Sequence, residues 1–515
     1  MRRSITVLLA SALTTSLSCG GADETGPLAR EVEVTVALDG SVAEVDPRFL
    51  SFAVDTAQVV GSTFWNPSAE VEIGAGDHPV PPYDFARPKL RQLARELSPA
   101  YLRIGGSEAD RVYYDMGDAP LSPPPAPYRA TMTRAQWDGV ADFARALDLP
   151  ILFTLNAGPG PRDANRAWQA DQSRVLLEYT KQAGHPVALW ELGNEVNGFP
   201  VIHGIDFIIS GGQLAKDLAV ARALVDEITP GVPLGDPSSA FWPVAGEFLP
   251  TMREMFEAGG GAYIDVLTWH YYPQQSRRCP VAVRRAELDL MYDPDSLAEV
   301  ERWAEHVEKL RDAFRPGIPA WLGESGNAQC GGEPGISDGF AGGFWWLDQL
   351  GRLARRGHRV VVRQTLSGSN YGLLDDTTLD PRPDYWTSVL HKRLMGTRVL
   401  DARSTDPQVR VYAHCSRGEA GVTLAVLNLD RTRSATLVLD AAEADHARVY
   451  ELTAKEPTSP AIALGGTPLA LDAQGRLPPL EPRRVDAERA RVRVRFAPGS
   501  YGFVTLPGAD AAACR

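Results

Sequence analysis

Two apolar runs in this chain end on a glutamate, and together they could do acid–base or nucleophilic work on one bond. Val187 to Glu195 reads VALWELGNE and finishes on Asn194-Glu195, while Ala320 to Ser325 reads AWLGES and places Glu324 next to last. Cleavage of a glycosidic bond needs such a pair: one acid kept protonated to assist the leaving oxygen, and one ionised carboxylate to attack the sugar or activate water. A separation of roughly 5–5.5 Å would retain the anomeric configuration, and roughly 6.5–9.5 Å would invert it. Trp190, Asn194, Trp269, His270, Tyr272 and Trp321 lie on or beside the same kind of run. Sugar sites combine apolar ring faces with a few fixed polar groups. The plainer alternative is that, among 65 Asp and Glu, two strand-end glutamates are surface acids or helix-start partners. His270 taken alone reads as a structural histidine.

The elements that must position these groups alternate in type. Eight short apolar runs, 49–55, 100–106, 150–158, 186–193, 232–236, 264–272, 319–325 and 359–368, are interleaved with amphipathic stretches such as 133–149, 213–228, 295–314 and 338–356. A shorter helical candidate covers 89–97. Eight βα units over roughly 350 residues predict a (β/α)8 barrel, whose active site forms at the C-terminal ends of the strands. Glu195 and Glu324 then end the fourth and seventh strands on opposite walls of one mouth. The proline-rich stretch 118–128 reads as a loop.

Beyond Gly396 the pattern becomes strand-like without long helices (409–415, 421–429, 435–440, 491–496), which predicts a β-sandwich. The alternating run 31–38 lacks any other edge to pair with and is expected to join it. The expected organisation is therefore 1–18 signal peptide, 19–30 linker, 31–45 sandwich strand, 46–396 barrel and 397–515 sandwich.

Arg2 and Arg3 precede an apolar run from Ile5 to Leu17, too short for the roughly 20 residues of a membrane span and typical of an export signal. The sequence around Ser18-Cys19-Gly20 resembles a bacterial lipoprotein cleavage site, with Cys19 lipidated; plain secretion is the alternative. Cys279, Cys330, Cys415 and Cys514 remain, an even set suited to an oxidising compartment, with three pairings open. The net charge of −13 becomes −15 once residues 1–18 are removed, a poor match to nucleic-acid binding. No HExxH, CxxC pair or phosphate loop is present, so no metal or other cofactor is expected. Gly335-Ile336-Ser337-Asp338-Gly339 has the spacing of a nucleophile elbow but no strand leading into it, so it reads as a loop with Ser337 or Asp338 capping the next helix.

The blocks LRIGGS (102–107), WELGNE (190–195), TWHYY (268–272), WLGES (321–325), GGEPGISDGF (331–340), SNYGLLDD (369–376) and PDYW (383–386) resemble glycoside hydrolase family 79, the heparanase and β-glucuronidase family. The resemblance runs from about Phe49 to the C-terminus. It implies Glu195 as acid/base, Glu324 as nucleophile and Asn194 as the amide on the sugar 2-hydroxyl. His270 and Tyr272 would surround the nucleophile, and Asp55 and Ser107 would hold glucuronate hydroxyls. Backbone amides of Gly331, Gly332, Ser369 and Tyr371 would hold the uronate carboxylate. Ser369 replaces the family's glycine, which is tolerable if the turn does not need positive φ. Asp236 replaces a glutamine and would set a like charge near an acidic substrate. The resemblance also implies a Cys415–Cys514 disulfide, leaving Cys279 and Cys330 as the other possible pair, and only the short proline-rich stretch stands where the animal enzyme has an excised segment.

The activity implied is retaining hydrolysis of β-glucuronides, internally in heparan sulfate or a related glycosaminoglycan. The alternatives are exo action on small glucuronides or glycan ends, a barrel glycosidase for arabinosides or xylosides, and a non-catalytic polysaccharide-binding surface lipoprotein. An endo cleft would need cations, and Arg277, Arg278, Arg284 and Arg285 could supply them or be solvated loop charges. The partners expected are the glucuronate-containing substrate and a lipid anchor, for a monomeric chain.

Overall fold

The computed structural model describes residues 30–68 and 76–515. Eight parallel strands, Leu50–Asp55, Leu102–Gly105, Ile151–Leu155, Val187–Leu192, Leu234–Trp242, Val266–Tyr271, Ala320–Ser325 and Val360–Arg363, pair in chain order, and the last pairs back with the first to close a barrel. Helices cover the outside, among them Arg134–Leu147, whose Thr133 and Gln136 form a reciprocal capping box. Helix Asp171–Ala183 follows the third strand. The fifth strand runs to Trp242, well past the predicted 236.

Side-chain alternation along these strands sorts residues by face. Ala53, Leu152, Leu189, Val266, Trp321, Val360 and Val362 form one small apolar cluster that fills the lower barrel. Their neighbours in sequence, including Phe52, Phe153, Trp190, Leu267, Leu322 and Val361, belong instead to the larger core shared with the helices. One step higher inside, the barrel turns polar: Asp55, Arg103, Thr154, Glu191, Thr268, His270 and Glu324 are all buried.

The N-terminal strand Arg30–Glu44 pairs antiparallel with Met395–Ser404 and parallel with Ala435–Asp440, so it enters the C-terminal sheet as expected. Val32 and Val34 near one end of that mostly antiparallel sheet share a core with Leu424 and Val504 from further along it, which doubles the sheet into a sandwich. Cys415–Cys514 and Cys279–Cys330 are both disulfide-bonded. The predicted signal segment and the lipidated Cys19 lie outside the described residues.

The sandwich docks on helix Gly342–Arg355, which is buried from Gly342 to Ala354. Two glycines allow the approach: a Cβ on Gly343 would lie 2.1 Å from the Tyr501 hydroxyl, and one on Gly351 2.0 Å from the Tyr412 ring. Tyr412 donates to Asp348 at 2.5 Å and Tyr501 to the Phe340 carbonyl at 3.2 Å, which satisfies both buried hydroxyls. The helix starts after Ala341 without a side-chain cap. Ser337 and Asp338 accept instead from the backbone of Glu333 and Gly335, so they brace the preceding loop and the capping expectation is corrected.

Candidate active site

Glu195 sits three residues beyond the fourth strand with φ 56° and ψ 50°, a left-handed conformation that costs a non-glycine residue about 1–2 kcal/mol. Such strain concentrates at functional sites. Its backbone is held on both sides, donating to the Ser238 carbonyl at 3.2 Å and accepting from Gly198 at 2.7 Å. Glu324 arrives differently. Leu322 pairs with Trp269 but Glu324 pairs with the very next residue, His270, so Gly323 forms a bulge. Strict alternation would send Glu324 outward with Leu322; the extra residue turns it into the mouth.

One ligand atom each of Glu195, His270 and Glu324 lie within 4.8 Å of one another. His270 Nδ1 is 3.1 Å from Glu195 Oε1, and its Nε2 has no partner. Glu324 accepts on both oxygens, from the Tyr272 hydroxyl at 2.7 Å and from Arg103 Nη1 at 2.8 Å. Burial pushes the Glu195 carboxyl up to about 7, with Arg103 opposing, so it is largely a protonated acid below neutrality. Burial also lowers the His270 imidazole to about 4, leaving it neutral. Three such donors could geometrically hold a cation, yet the Arg103 guanidinium already occupies one face of Glu324, and like charge disfavours a metal there.

Arg103 organises the floor. Wholly buried, it also reaches Glu191 at 2.9 Å, Asn194 Oδ1 at 3.0 Å and Thr154 at 3.4 Å. Burial favours neutral groups at both Arg103 and Glu191, but their pairing wins, raising the arginine and lowering the glutamate. Neither residue stands out in the sequence by type or motif. The available signal was a charge inside each of two apolar runs, LRIGG and WELG.

Asn194 accepts from Gly106 N at 3.1 Å as well, while its own N–H donates to Asp110 at 2.9 Å. Asp55 accepts from Ala57 N and from Gln364, each at 2.9 Å, and burial pushes its carboxyl up to about 7. It fits because residue 106 is glycine: φ is 98°, and a Cβ there would lie 2.1 Å from Asp55 Oδ2. Asp55, Ser107 and Glu195 line one cleft of about 250 Å³.

The loops after the seventh and eighth strands meet at Gly331, Gly332 and Ser369, all with positive φ (85°, 82° and 51°). The turn therefore does require the left-handed region, and Ser369 adopts it under strain, its carbonyl held by Arg382 at 2.5 Å. Among the described residues, no acceptor is found for the N–H groups of Gly331, Gly332 and Ser369, whereas Tyr371 N already donates to the Gly331 carbonyl at 3.1 Å. Tyr371 packs with Tyr272, which ties this turn to the Glu324 side of the mouth.

Three expectations are corrected. Asp236 does not face the cleft: it is 0 % exposed, accepts from Leu192 N at 2.8 Å and is held by burial well above the usual carboxylate range. Trp190 and Trp269 face the helices and Trp321 fills the lower barrel, so none offers a ring to sugar; the cleft's rings are Phe64, Trp65, Trp242 and Phe248. The loop arginines are structural. Arg277 pairs with Glu333, Arg278 bonds the Gly332 carbonyl and Asn370, Arg284 meets Glu299 at 2.5 Å, and Arg285 bonds carbonyls of Ser276 and Cys279.

Two buried glutamates facing each other at the C-terminal mouth of a (β/α)8 barrel define a barrel glycoside hydrolase. The chain belongs to glycosyl hydrolase family 79: residues 52–351 match that family's N-terminal domain. It is 31% identical over 487 residues to heparanase-like protein 1 of Arabidopsis thaliana, covering 84% of this chain and 86% of the relative. To heparanase of Mus musculus it is 29% identical over 561 residues, covering 97% of each. The fold is similar to that of a 4-O-α-L-rhamnosyl-β-D-glucuronidase from Fusarium oxysporum, with a TM-score of 0.65 and 15% identity over 92% of this chain and 100% of that one.

Proposed function

We propose that this chain is a retaining hydrolase of β-glucuronides, with Glu195 as acid/base and Glu324 as nucleophile. The observation that carries the reading is the close approach of the two carboxyl groups, within 4.8 Å at their nearest ligand atoms. That spacing belongs with retention, because inversion needs room for a water between them. In the first step Glu324 attacks the anomeric carbon while Glu195 gives its proton to the leaving oxygen. In the second, Glu195 takes a proton from the water that releases the sugar.

Environment supports this division of labour. Glu195 has the raised value of an acid kept protonated near neutrality. Glu324 has both oxygens engaged as acceptors, the hydrogen-bonding valence of a carboxylate. The unpaired amides of Gly331, Gly332 and Ser369 suit a uronate carboxylate, since charge-assisted bonds to backbone N–H groups are strong and site-defining. Two disulfides fit an exported chain, and among the described residues no helix is long and apolar enough to cross a membrane.

The test is turnover of a chromogenic β-glucuronide, the matching β-glucoside and size-defined heparan sulfate, each beside Glu324→Ala. Glucuronide cleavage lost in Glu324→Ala is expected. Glucoside cleaved as fast as glucuronide would remove the carboxylate subsite, and no turnover of any substrate would end the enzyme reading.

A further inference from the structure

The cleft continues past Glu195 on the side where the leaving group must sit, because that residue delivers the proton to the departing oxygen. Its walls there come from the segment after the fourth strand (Val201, Ile202), the end of the fifth strand (Trp242), Phe248 and Pro280. Trp242 and Phe248 lie with ring centroids 5.7 Å apart at 31°. Phe248 is 46% exposed and Val201 44%, with Val281 and Val283 exposed beside Pro280. Large apolar side chains left open around a site usually mark the chemistry of what binds there.

Charge points the same way. Asp55, Asp77, Glu108 and Glu195 border the cleft, and Arg111 is the one cationic side chain among its described lining residues. Arg111 is itself paired, to Glu108 at 3.3 Å and to the Ile202 carbonyl at 2.8 Å. Arg277, Arg278 and Arg284 are engaged by Glu333, Asn370 and Glu299, and Arg285 by the Ser276 and Cys279 carbonyls. A sulfated sugar would bring several negative charges to an acidic, apolar wall whose one cation among the described lining residues, Arg111, is already paired.

Resting on the glucuronidase reading above, we infer that the leaving-group end of the cleft takes an uncharged aromatic aglycone rather than a sulfated glycan. The bond broken is the one to the aglycone oxygen, which departs with the Glu195 proton. Trp242 and Phe248 are specificity-determining residues in this reading, offering ring faces to a planar leaving group.

The experiment compares 2-naphthyl β-glucuronide with methyl β-glucuronide in the full chain, in Trp242→Ala and in the surface variant Phe248→Ala. Taking the ratio of the two kcat/KM values within each protein and comparing variant with parent cancels the intrinsic difference between leaving groups. Trp242→Ala is expected to lower that ratio about tenfold and Phe248→Ala to lower it less. A size-defined heparan sulfate oligosaccharide should compete only weakly at low salt. A ratio unmoved in both variants overturns the inference, as does strong oligosaccharide competition that fades steeply with added salt. Should neither glucuronide be turned over by the parent, the glucuronidase reading fails first and this inference falls with it.

Discussion

Ion pairs in the barrel mouth and on the outside of the sandwich use the same residue types in opposite circumstances. Arg103 meets Glu191 and Glu324 at 2.9 and 2.8 Å with no exposure of the arginine. Arg491 meets Glu33 at 3.2 Å and Arg493 meets Glu31, with every partner more than half exposed. Those strands alternate charged residues outward with Val32, Val34, Val492 and Val494 inward, so their fold rests on the valines. In the mouth the charges have displaced apolar residues from the barrel interior, at a desolvation cost that only a complete network offsets. Charge is thus placed for function in one region and for solubility in the other.

The contrast breaks first at Glu324, the proposed nucleophile. Glu324→Ala should reduce kcat/KM on an aryl glucuronide by about four orders of magnitude or more, since the covalent route is lost. Added azide should then restore turnover with an α-linked glucuronyl azide as product. Recovery of a β-linked azide in this variant would reverse the roles given to Glu195 and Glu324.

Next comes the floor of the site. Arg103→Met leaves Glu191, Glu324 and Asn194 facing each other without their shared donor, and should destabilise the fold by about 3–5 kcal/mol. Urea unfolding of this variant measures the loss. Restoring part of it with Arg103→Met/Glu191→Gln would identify the uncompensated carboxylate as its source, and a loss below about 1 kcal/mol would show that the network carries little stability.

The acid titrates within the same region. An exposed glutamate loses its proton at about 4.3, but buried Glu195 holds it up to about 7. The stabilising linkage is therefore complete below the unfolded value and disappears as pH rises through about 7. Activity follows the same sign: kcat/KM for a poor leaving group should fall on the alkaline side of about pH 7, as the protonated form is depleted. With a leaving group that needs no proton, that limb should already be missing in the parent, and Glu195→Gln should retain glycosylation. Because Asp55 also titrates near 7, a limb unchanged in Glu195→Gln would move the assignment to Asp55.

Much of this arrangement is legible in the sequence. The eight runs appear because buried parallel strands are apolar, and Glu195 and Glu324 appear because each breaks an apolar run at its C-terminal end. Parity is what the sequence hides. Trp190 and Trp269 neighbour site residues yet point to the helices, and the bulge at Gly323 resets the alternation that would have sent Glu324 outward. Arg103 and Glu191 come from strands that are not neighbours, so their meeting across the barrel cannot be read from either run. Asp236 shows the limit of matching by position: the resemblance sets it at a subsite, yet its carboxylate accepts from Leu192 N in the barrel interior.

The smallest effect belongs to the sandwich. Arg493 and Glu31 are 54% and 62% exposed, so solvent screens their attraction and two long side chains lose freedom in making it. Arg493→Ala should therefore change unfolding free energy by about 0.5 kcal/mol or less, with kcat/KM unchanged. Urea denaturation at low and high salt checks both the size and its insensitivity. A loss comparable to that of Arg103→Met would mean that the outer charges hold the sheet together, and the division between the two regions would collapse. A neutral result leaves Val492 and Val494, one residue to either side of Arg493, as the groups that hold this strand in place.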